Sequence, residues 1–296
     1  MFVKYKKIRT LGNPENEGIL NWEVIIQEKI DWANLSIWRE EDWLYIWSRN
    51  NEVWSPSQRT WFRGAVDYIY EREDIFNKIF NSLEEVEWTK DIRLYWEWLV
   101  KHTIWNYNPE AYNHFYLFDI SVDWIFISQE KVSYVADLSW IKTPCIWATI
   151  TNPTKEEVLE YVNKSSLWPD SEGVVIKNKY FINKFWDQAY AKIVWERFKE
   201  VQILEGNIQG GDNEAKIVLK YCTEGRVRKI IHKIEQSEWR DITIEDTWRI
   251  VGMVQYDIII EEAWNISKIW LIDFKRLKWL IWKTSAQIAL NIINNA

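Results

Sequence analysis

The first two thirds of the chain carry short runs of β-branched and aromatic residues that end at turn residues, a pattern typical of β-strands. These runs lie at residues 2–8, 23–29, 33–38, 43–47, 92–100, 114–120, 171–177 and 190–194. Residues 58–86 instead place apolar side chains three and four positions apart, which predicts helix. Thr154 and Glu157 form a capping box that predicts a helix to about Lys164. The pattern predicts an α+β domain.

A change of composition marks a second region. The segment 206–213 is glycine-rich and is the best candidate for a linker. Beyond it the apolar spacing is helical throughout, and helices are predicted to begin at Thr223, Thr243 and Asp273. We therefore expect one domain over residues 1–205, a linker over 206–213 and a helical C-terminal domain over 214–296.

The C-terminal region is also locally basic. Its basic residues include Arg226, Arg228, Lys229, Lys233, Lys275, Arg276, Lys278 and Lys283. Such charges usually form a solvated helix face. The whole chain has a net charge of −7, so any nucleic-acid binding must use a local patch rather than a general basic field. This region is the best candidate for a phosphate-contacting surface.

Cysteine and histidine usage argues against a metal or disulfide scaffold. Cys145 and Cys222 are far apart and form neither pattern, which suits a reducing compartment. Three histidines are too few to favour a histidine-rich zinc site. The N-terminal segment lacks the apolar core of a signal peptide, and no run of about 18 apolar residues is present. We expect a cytoplasmic protein that does not enter a membrane.

Tryptophan and glycine are used abnormally. The chain has 23 Trp and 9 Gly. Average usage of about 7% would give roughly 21 glycines. Several tryptophans stand where turn chemistry favours glycine, as in Asp31-Trp32 and Asp123-Trp124. The simplest hypothesis is that tryptophan replaces many glycines of a natural parent.

Lys29 ends the strand predicted at 23–29 and lies between two carboxylates, Glu28 and Asp31. A strand-end lysine is a nucleophile when its pKa is lowered, because only the free amine attacks. On these residues alone, the simpler interpretation is a surface hairpin lysine paired with a neighbouring carboxylate. The residues that follow favour the nucleophile.

Five further motifs follow Lys29 along the chain. They are Ser48-Arg49 at a strand end, Glu97 inside an apolar strand, Phe118-Asp119, Glu172-Gly173-Val174-Val175-Ile176-Lys177, and Lys192 in a short strand. Each alone has a plain structural explanation, such as a solvated turn or a core aromatic. A buried carboxylate at position 97 would need a partner. Side chains alternate between the two faces of a strand, so Glu172 is predicted to lie on the face opposite Lys177.

In this order and at these spacings, the motifs resemble those of the covalent nucleotidyltransferase superfamily, which includes ATP-dependent DNA ligases, RNA ligases and mRNA capping enzymes. Within it, the chain is most similar to the phage-type ATP-dependent RNA ligases that seal nicks. The similarity covers about residues 1–200 and extends to the helical end, where DNA ligases and capping enzymes usually have a β-barrel. It implies an α+β nucleotidyltransferase (ATP-grasp-like ligase adenylation) domain of antiparallel sheets with flanking helices, plus a small all-α C-terminal domain.

The resemblance also implies roles for single residues. Lys29 would attack the α-phosphate of ATP and become a lysyl-AMP; the AMP would pass to an RNA 5′-phosphate, and a 3′-hydroxyl would then displace it. The expected ligand contacts are Glu28 and Asn34 with adenosine, Arg49 with ribose or phosphate, Glu97 with ribose or a metal, Phe118 with adenine, Glu172 with Mg²⁺ or Mn²⁺, and Lys177 and Lys192 with the α-phosphate. The expected partners are ATP and RNA, with no membrane and no obligate protein partner.

Three positions depart from the family pattern. Trp32 and Trp96 stand where the family usually has glycine, and Val194 stands where its last motif often has a second lysine. An indole at the first two positions would obstruct close backbone approach. Two alternatives therefore remain: a catalytically impaired nucleotide- or RNA-binding protein of the same fold, or a DNA ligase or capping-type nucleotidyltransferase.

Overall fold

The computed structural model describes residues 5–30, 33–41, 43–48, 53, 64–87, 89, 91–99, 107–167, 171–194, 212–238 and 240–295. The chain divides into two compact units, residues 1–195 and 196–296. The predicted linker at 206–213 lies outside the described residues except for Asp212 and Asn213, so the predicted domain limits stay predictions.

Most predicted strands and helices are found, together with a helix over 129–138 and a strand over 146–151 that were not predicted. The strand predicted at 2–8 was wrong for its described residues 5–8, and a short strand follows it at Arg9–Thr10. The described strands are β1 (Arg9–Thr10), β2 (Glu23–Lys29), β3 (Ala33–Glu40), β4 (Trp43–Ser48), β5 (Ile92–Leu99), β6 (His114–Val122), β7 (Ile125–Phe126), β8 (Ile146–Thr151), β9 (Gly173–Lys177) and β10 (Ala191–Val194). The described helices are α1 (Ala65–Tyr70), α2 (Glu73–Glu87), α3 (Gln129–Leu138), α4 (Lys155–Leu159), α5 (Asn213–Tyr221), α6 (Glu224–Glu238), α7 (Thr247–Glu261), α8 (Ala263–Ser267) and α9 (Phe274–Asn294). The α+β class is confirmed.

The first unit contains two five-stranded sheets. The first sheet has the order β1-β10-β9-β2-β8, and the second has the order β4-β3-β5-β6-β7. All neighbouring strands are antiparallel except β1 and β10, which are parallel. The first sheet buries Val24, Ile26, Val174 and Ile176 in one apolar cluster with Val158 of α4. Its other face is left for polar side chains.

The helix predicted from Thr154 begins as expected, with both hydrogen bonds of the capping box between Thr154 and Glu157. It ends earlier than predicted, at Leu159 rather than about Lys164. Backbone bonds from Tyr161 to Val158 and from Lys164 to Tyr161 span three residues, so the chain continues in tight turns instead of α-helix.

The second unit is helical over its described residues. All three predicted helix starts are found: Thr223 precedes α6, Thr243 forms a capping box with Asp246, and Asp273 caps α9. A single 3-10 turn, Ile244–Asp246, separates Thr243 from α7. Apolar side chains of α5, α6, α7 and α9 form one core. None of the described helices is long and apolar enough to span a membrane.

One member of the predicted basic surface is not on the surface. Arg226 is buried, and its guanidinium forms ion pairs with Glu262 at 2.9 Å and with Asp257 at 3.5 Å. The prediction was wrong for this residue because Arg226 begins the inward stripe of α6, next to the buried Val227. Lys275 and Lys278 of α9 are exposed, as expected for a solvated basic face.

Candidate active site

Lys29 is the last residue of β2 and lies opposite Gly173, the first residue of β9. Its Nζ atom donates a hydrogen bond to the Oε2 atom of Glu172 over 2.5 Å. The two side chains are 16% and 8% exposed, so solvent screens this ion pair weakly. The fold therefore brings together the predicted nucleophile and a predicted metal ligand from strands that are distant in sequence.

Gly173, which lies opposite Lys29, allows β9 to approach the neighbouring strand β10 closely. Its φ is +146°, and a Cβ atom there would lie 2.1 Å from the carbonyl oxygen of Ile193 in β10. Only glycine fits such a backbone and such a contact. Glu172 lies just before β9, so the alternation of side chains between the two faces of a strand does not apply to it. Its carboxylate contacts Lys29, on the face that was predicted for Lys177. The predicted face of Glu172 was therefore wrong.

The three predicted site lysines share one face of the first sheet. Lys192 pairs with Val175, which in turn pairs with Gln27, two residues before Lys29. Side chains directly opposite in an antiparallel pair lie on the same face, and so do residues two apart on one strand. Lys29, Lys177 and Lys192 are thus on the face opposite the apolar cluster. Two of the three lysines pair with carboxylates, Lys29 with Glu172 and Lys177 with Asp119.

Glu28 lies on the opposite face of β2. Its carboxylate accepts hydrogen bonds from the Ser165 hydroxyl at 2.8 Å, the Ser166 amide at 3.0 Å and the Ser166 hydroxyl. Burial raises the pKa of Glu28, while the hydrogen bonds from Ser166 and Ser165 lower it. The side chain therefore anchors the segment before β9 in this structure.

Asn34 and Glu97 are direct neighbours on the second sheet. They face each other across β3 and β5, and the Asn34 amide nitrogen lies 3.4 Å from the Glu97 Oε1 atom. The amide of Asn34 is thus a hydrogen-bond partner for the carboxylate of Glu97, whose neighbours along β5 are apolar. The expected need of Glu97 for a partner is thus met within one sheet by an amide.

Phe118 and Asp119 of β6 are tied to the first sheet by Lys177. The Lys177 ammonium donates to the Phe118 carbonyl oxygen at 2.6 Å and to Asp119 Oδ1 at 3.0 Å. Lys177 is 3% exposed and Asp119 is fully buried. Burial lowers the pKa of Lys177, although the negative charge of Asp119 opposes this effect. Both predicted residues, Phe118 and Lys177, therefore meet at one point between the sheets.

Some predicted residues lie outside the described residues, namely Arg49 together with Asp31 and Trp32. Among the residues that the structure describes, no three His, Cys, Asp or Glu side chains are placed to hold a metal ion. Mg²⁺ and Mn²⁺ are commonly held by one or two carboxylates together with phosphate oxygens. The shielded carboxylate of Glu172 is a side chain of the type that binds such an ion.

Sequence reasoning missed Gln27 and Gln129. The Gln129 amide nitrogen donates to Asp119 Oδ1 at 2.8 Å and lies 3.3 Å from the Phe118 carbonyl oxygen, and Gln27 donates to Gln129 Oε1 at 3.2 Å. All four side chains are buried. The available signal was Gln27 itself, an uncharged polar residue inside an otherwise apolar strand, which implies a buried partner.

A sequence model of the family described as RNA ligase matches residues 22–194, and the chain belongs to this family. The matched segment begins just before β2 and ends with β10, so it contains every site residue discussed above. No curated protein matches the chain.

Solved structures similar to this chain include three forms of the Naegleria gruberi RNA ligase. A mutant with ATP and Mn is 18% identical, with a TM-score of 0.49, and the match covers 67% of this chain and 57% of that one. The form with PPi is 17% identical (TM-score 0.47; 65% and 56% covered), and a mutant with AMP and Mn is 18% identical (TM-score 0.47; 65% and 56% covered). The chain spans a little over half the length of these structures.

Proposed function

We propose that this chain is an ATP-dependent RNA ligase that joins RNA 5′-phosphate and 3′-hydroxyl ends through a lysyl-AMP. The observation that carries the proposal is the shielded Lys29–Glu172 ion pair, at the ends of β2 and β9, in a chain of the RNA ligase family. The proposed partners are RNA and ATP, and no protein partner is required. The nick-sealing, phage-type branch remains our assignment, supported by the helical second unit.

In the first proposed step, the uncharged amine of Lys29 attacks the α-phosphorus of ATP. To become uncharged, the Lys29 ammonium gives one proton to the carboxylate of Glu172, to which it donates a hydrogen bond. As the N–P bond forms, the nitrogen releases a second proton to water, the bond to the bridging oxygen of the β-phosphate breaks, and pyrophosphate leaves with the bonding electron pair. Lys192, on the same sheet face, holds the equatorial oxygens of the α-phosphate. Glu172 would hold a divalent cation, Mg²⁺ or Mn²⁺, which would supply further positive charge there.

In the next two steps the AMP group is transferred and released. An oxygen of the RNA 5′-phosphate attacks the phosphorus on Lys29, which breaks the N–P bond and returns the amine. The RNA 3′-hydroxyl then attacks the 5′-phosphorus, loses its proton and displaces AMP. Asn34, Glu97 and Phe118 of the second sheet, with Arg49, are proposed to orient the nucleoside through these steps.

We also carry forward the hypothesis that tryptophan stands at glycine positions of the family. Trp96 supports it: the side chain is fully buried in β5, and its indole nitrogen has no hydrogen-bond partner. A buried indole normally finds an acceptor. A glycine at this position leaves no polar group unsatisfied.

The proposal is tested by incubating the chain with α-labelled ATP and Mg²⁺, followed by a denaturing gel and intact mass measurement. We expect a covalent AMP adduct on the wild-type chain, its loss in Lys29→Ala, and its retention in the control Lys155→Ala, a change on exposed α4. An adduct that persists in Lys29→Ala, or a folded wild-type chain without an adduct, would contradict the proposal.

A further inference from the structure

A buried polar network connects the two sheets of the first unit. Asp119 is its centre: the carboxylate accepts hydrogen bonds from Lys177 at 3.0 Å, from Gln129 at 2.8 Å and from the Tyr5 hydroxyl at 2.5 Å. Gln27 extends the network through Gln129 to β2. A satisfied buried network of this kind fixes the relative positions of the elements that supply it.

The two ends of the network are the residues that the proposed reaction has to align. One end is the Phe118 backbone, whose carbonyl oxygen lies within hydrogen-bonding distance of both Lys177 and Gln129. The other end is Gln27, two residues before Lys29 on the same face of β2. The network thus runs from the proposed adenine platform to the strand of the proposed nucleophile.

Lys177 is poorly placed for the α-phosphate at Lys29. It pairs with Ile25, four residues from Lys29 along β2, which corresponds to about 13 Å at the usual rise of a strand. Its ammonium also donates two short hydrogen bonds to Phe118 and Asp119. Lys192 is the lysine of this face that remains as the proposed phosphate contact.

We propose that Lys177, Gln129 and Gln27 are positioning residues that hold Phe118 at a fixed place relative to Lys29, and that Lys177 does not bind the α-phosphate. This inference rests on the proposed function. Positioning of the base affects binding of ATP, whereas a phosphate contact that strengthens in the transition state affects the rate of transfer. The two roles therefore differ in the kinetic constant that they change.

The test measures KM for ATP and the maximal rate of adduct formation in Gln129→Met, Gln27→Met and the double variant Lys177→Met/Asp119→Asn. The double variant removes both charges together, so neither remains buried and unpaired. The control is Lys179→Met, which removes an exposed lysine near the end of β9. We expect KM to rise about 10- to 100-fold in the three test variants, with little change in maximal rate.

The outcomes separate this proposal from the proposed function. A double variant with unchanged KM and a strongly reduced maximal rate would show that Lys177 acts on the phosphate, and unchanged kinetics in Gln129→Met would also overturn the positioning role. A wild-type chain that forms no adduct overturns the proposed function, and this inference with it.

A second inference comes from backbone torsions. Nine described residues other than glycine have positive φ, and four of them are Trp22, Trp124, Trp140 and Trp186, with φ between 54° and 72°. Left-handed backbone is costly for a bulky side chain and free for glycine. All four indoles are exposed, although the Arg93 guanidinium lies 4.9 Å from the centre of the Trp124 ring.

Three of these positions occur in turns whose geometry favours glycine. Asp123 and Trp124 both have positive φ between β6 and β7, as in a type I′ hairpin turn, where Asp-Gly is preferred. Trp140 follows α3, and the amide of the next residue, Ile141, donates a hydrogen bond to the Ala136 carbonyl oxygen. This bond is typical of the Schellman motif, in which residue 140 occupies the position that glycine usually takes. Trp186 closes a turn through its amide to Asn183 and then adopts positive φ, as the glycine of a hairpin bulge does.

We infer that these four positions are glycine in the protein as its source makes it, and that the gene encodes them with UGA. This codon is read as tryptophan in some genetic codes, and it differs from the glycine codon GGA by one base, so a glycine tRNA with one altered anticodon base would read it. If about a dozen of the tryptophans were encoded by UGA and translated as glycine, the chain would have an average glycine content.

Two measurements test this inference. The codons at positions 22, 124, 140 and 186 are expected to be UGA, and peptides of the protein from its source are expected to contain glycine there. UGG codons, or peptides with tryptophan at these positions, would overturn it. In the chain as given, Trp140→Gly should raise the melting temperature by about 2–4 °C, whereas the control Trp43→Gly, at an exposed strand position, should lower it. A lower melting temperature in Trp140→Gly would contradict the torsional argument.

Discussion

At the scale of single residues, Gly173, opposite Lys29, allows the close approach of β9 to β10. Substitution Gly173→Ala adds a Cβ atom 2.1 Å from the Ile193 carbonyl oxygen, at a backbone position with φ of +146°. We expect the free energy of unfolding of the first unit to fall by about 2–4 kcal/mol, because strain and overpacking add. Chemical denaturation measures this change.

The matched control is Gly252→Ala in the middle of α7. No atom lies within 4 Å of the added Cβ atom there. Alanine is the better helix former, so this variant should gain about 1 kcal/mol. A Gly173→Ala variant as stable as wild type would show that β9 and β10 separate without cost.

The local sequence predicted strand β2 with Lys29 at its end, because β-branched residues carry a local signal. The role of Lys29 as nucleophile came from the order of the motifs and the family resemblance, and it stays a proposal. The Lys29–Glu172 contact could not be predicted, because it depends on the pairing of the distant strands β2 and β9. Gln27 and Gln129 were missed because the sequence does not show which distant residue a buried polar side chain will contact.

At the scale of elements, the start of α7 depends on Asp246. Its carboxylate accepts hydrogen bonds from Arg240 at 2.6 and 2.8 Å and from the Thr243 amide at 2.8 Å. The hydrogen bonds from Arg240, followed by that from the Thr243 backbone, hold the pKa of Asp246 well below its usual value. The carboxylate therefore stabilises the folded unit only while it is ionised.

This pKa predicts acid sensitivity of the second unit. Because the folded pKa is depressed, the stabilisation is complete above the unfolded value of about 3.9 and is lost as the pH falls below it. Asp246→Asn should cost about 1 kcal/mol at pH 7 and should reduce the loss of stability between pH 4 and pH 2. Thermal unfolding across pH measures both effects. An unchanged acid transition would contradict this assignment.

The elements that sequence reasoning found are those with a strong local signal. The β-branched runs gave β2, β3 and β4 almost residue by residue, and side-chain caps gave the starts of α4, α6 and α9. Helix α3 and strand β8 were not predicted, because each is short and alternates apolar with polar residues only weakly. The strand order also could not be predicted, since β9 joins β2 through hydrogen bonds between distant segments.

At the scale of the whole molecule, the net charge of −7 means that the proposed RNA substrate has to bind a local basic patch. Exposed lysines of α9, Lys275 and Lys278, are the proposed phosphate contacts. Replacing both with glutamine should weaken RNA binding and reduce the slope of log affinity against log salt by about 1 per lysine. Adduct formation with ATP should be unchanged.

The charge-matched control is the pair Lys216→Gln and Lys220→Gln on α5, which removes two exposed lysines from another helix of the same unit. This variant should keep the wild-type salt slope. Equal slopes for both double variants would show that RNA binding does not use the first turns of α9.

The most direct test of the ligase assignment follows the AMP group through the reaction. The labelled adduct is first formed on the whole chain and freed of ATP, then mixed with a nicked RNA duplex that carries a 5′-phosphate. The account predicts that the label leaves the protein as RNA-adenylate and AMP while the nick is sealed, and that a nick with a 5′-hydroxyl leaves the adduct intact. A label that stays on the protein with the 5′-phosphate nick would contradict the assignment, even if the adduct on Lys29 forms as expected.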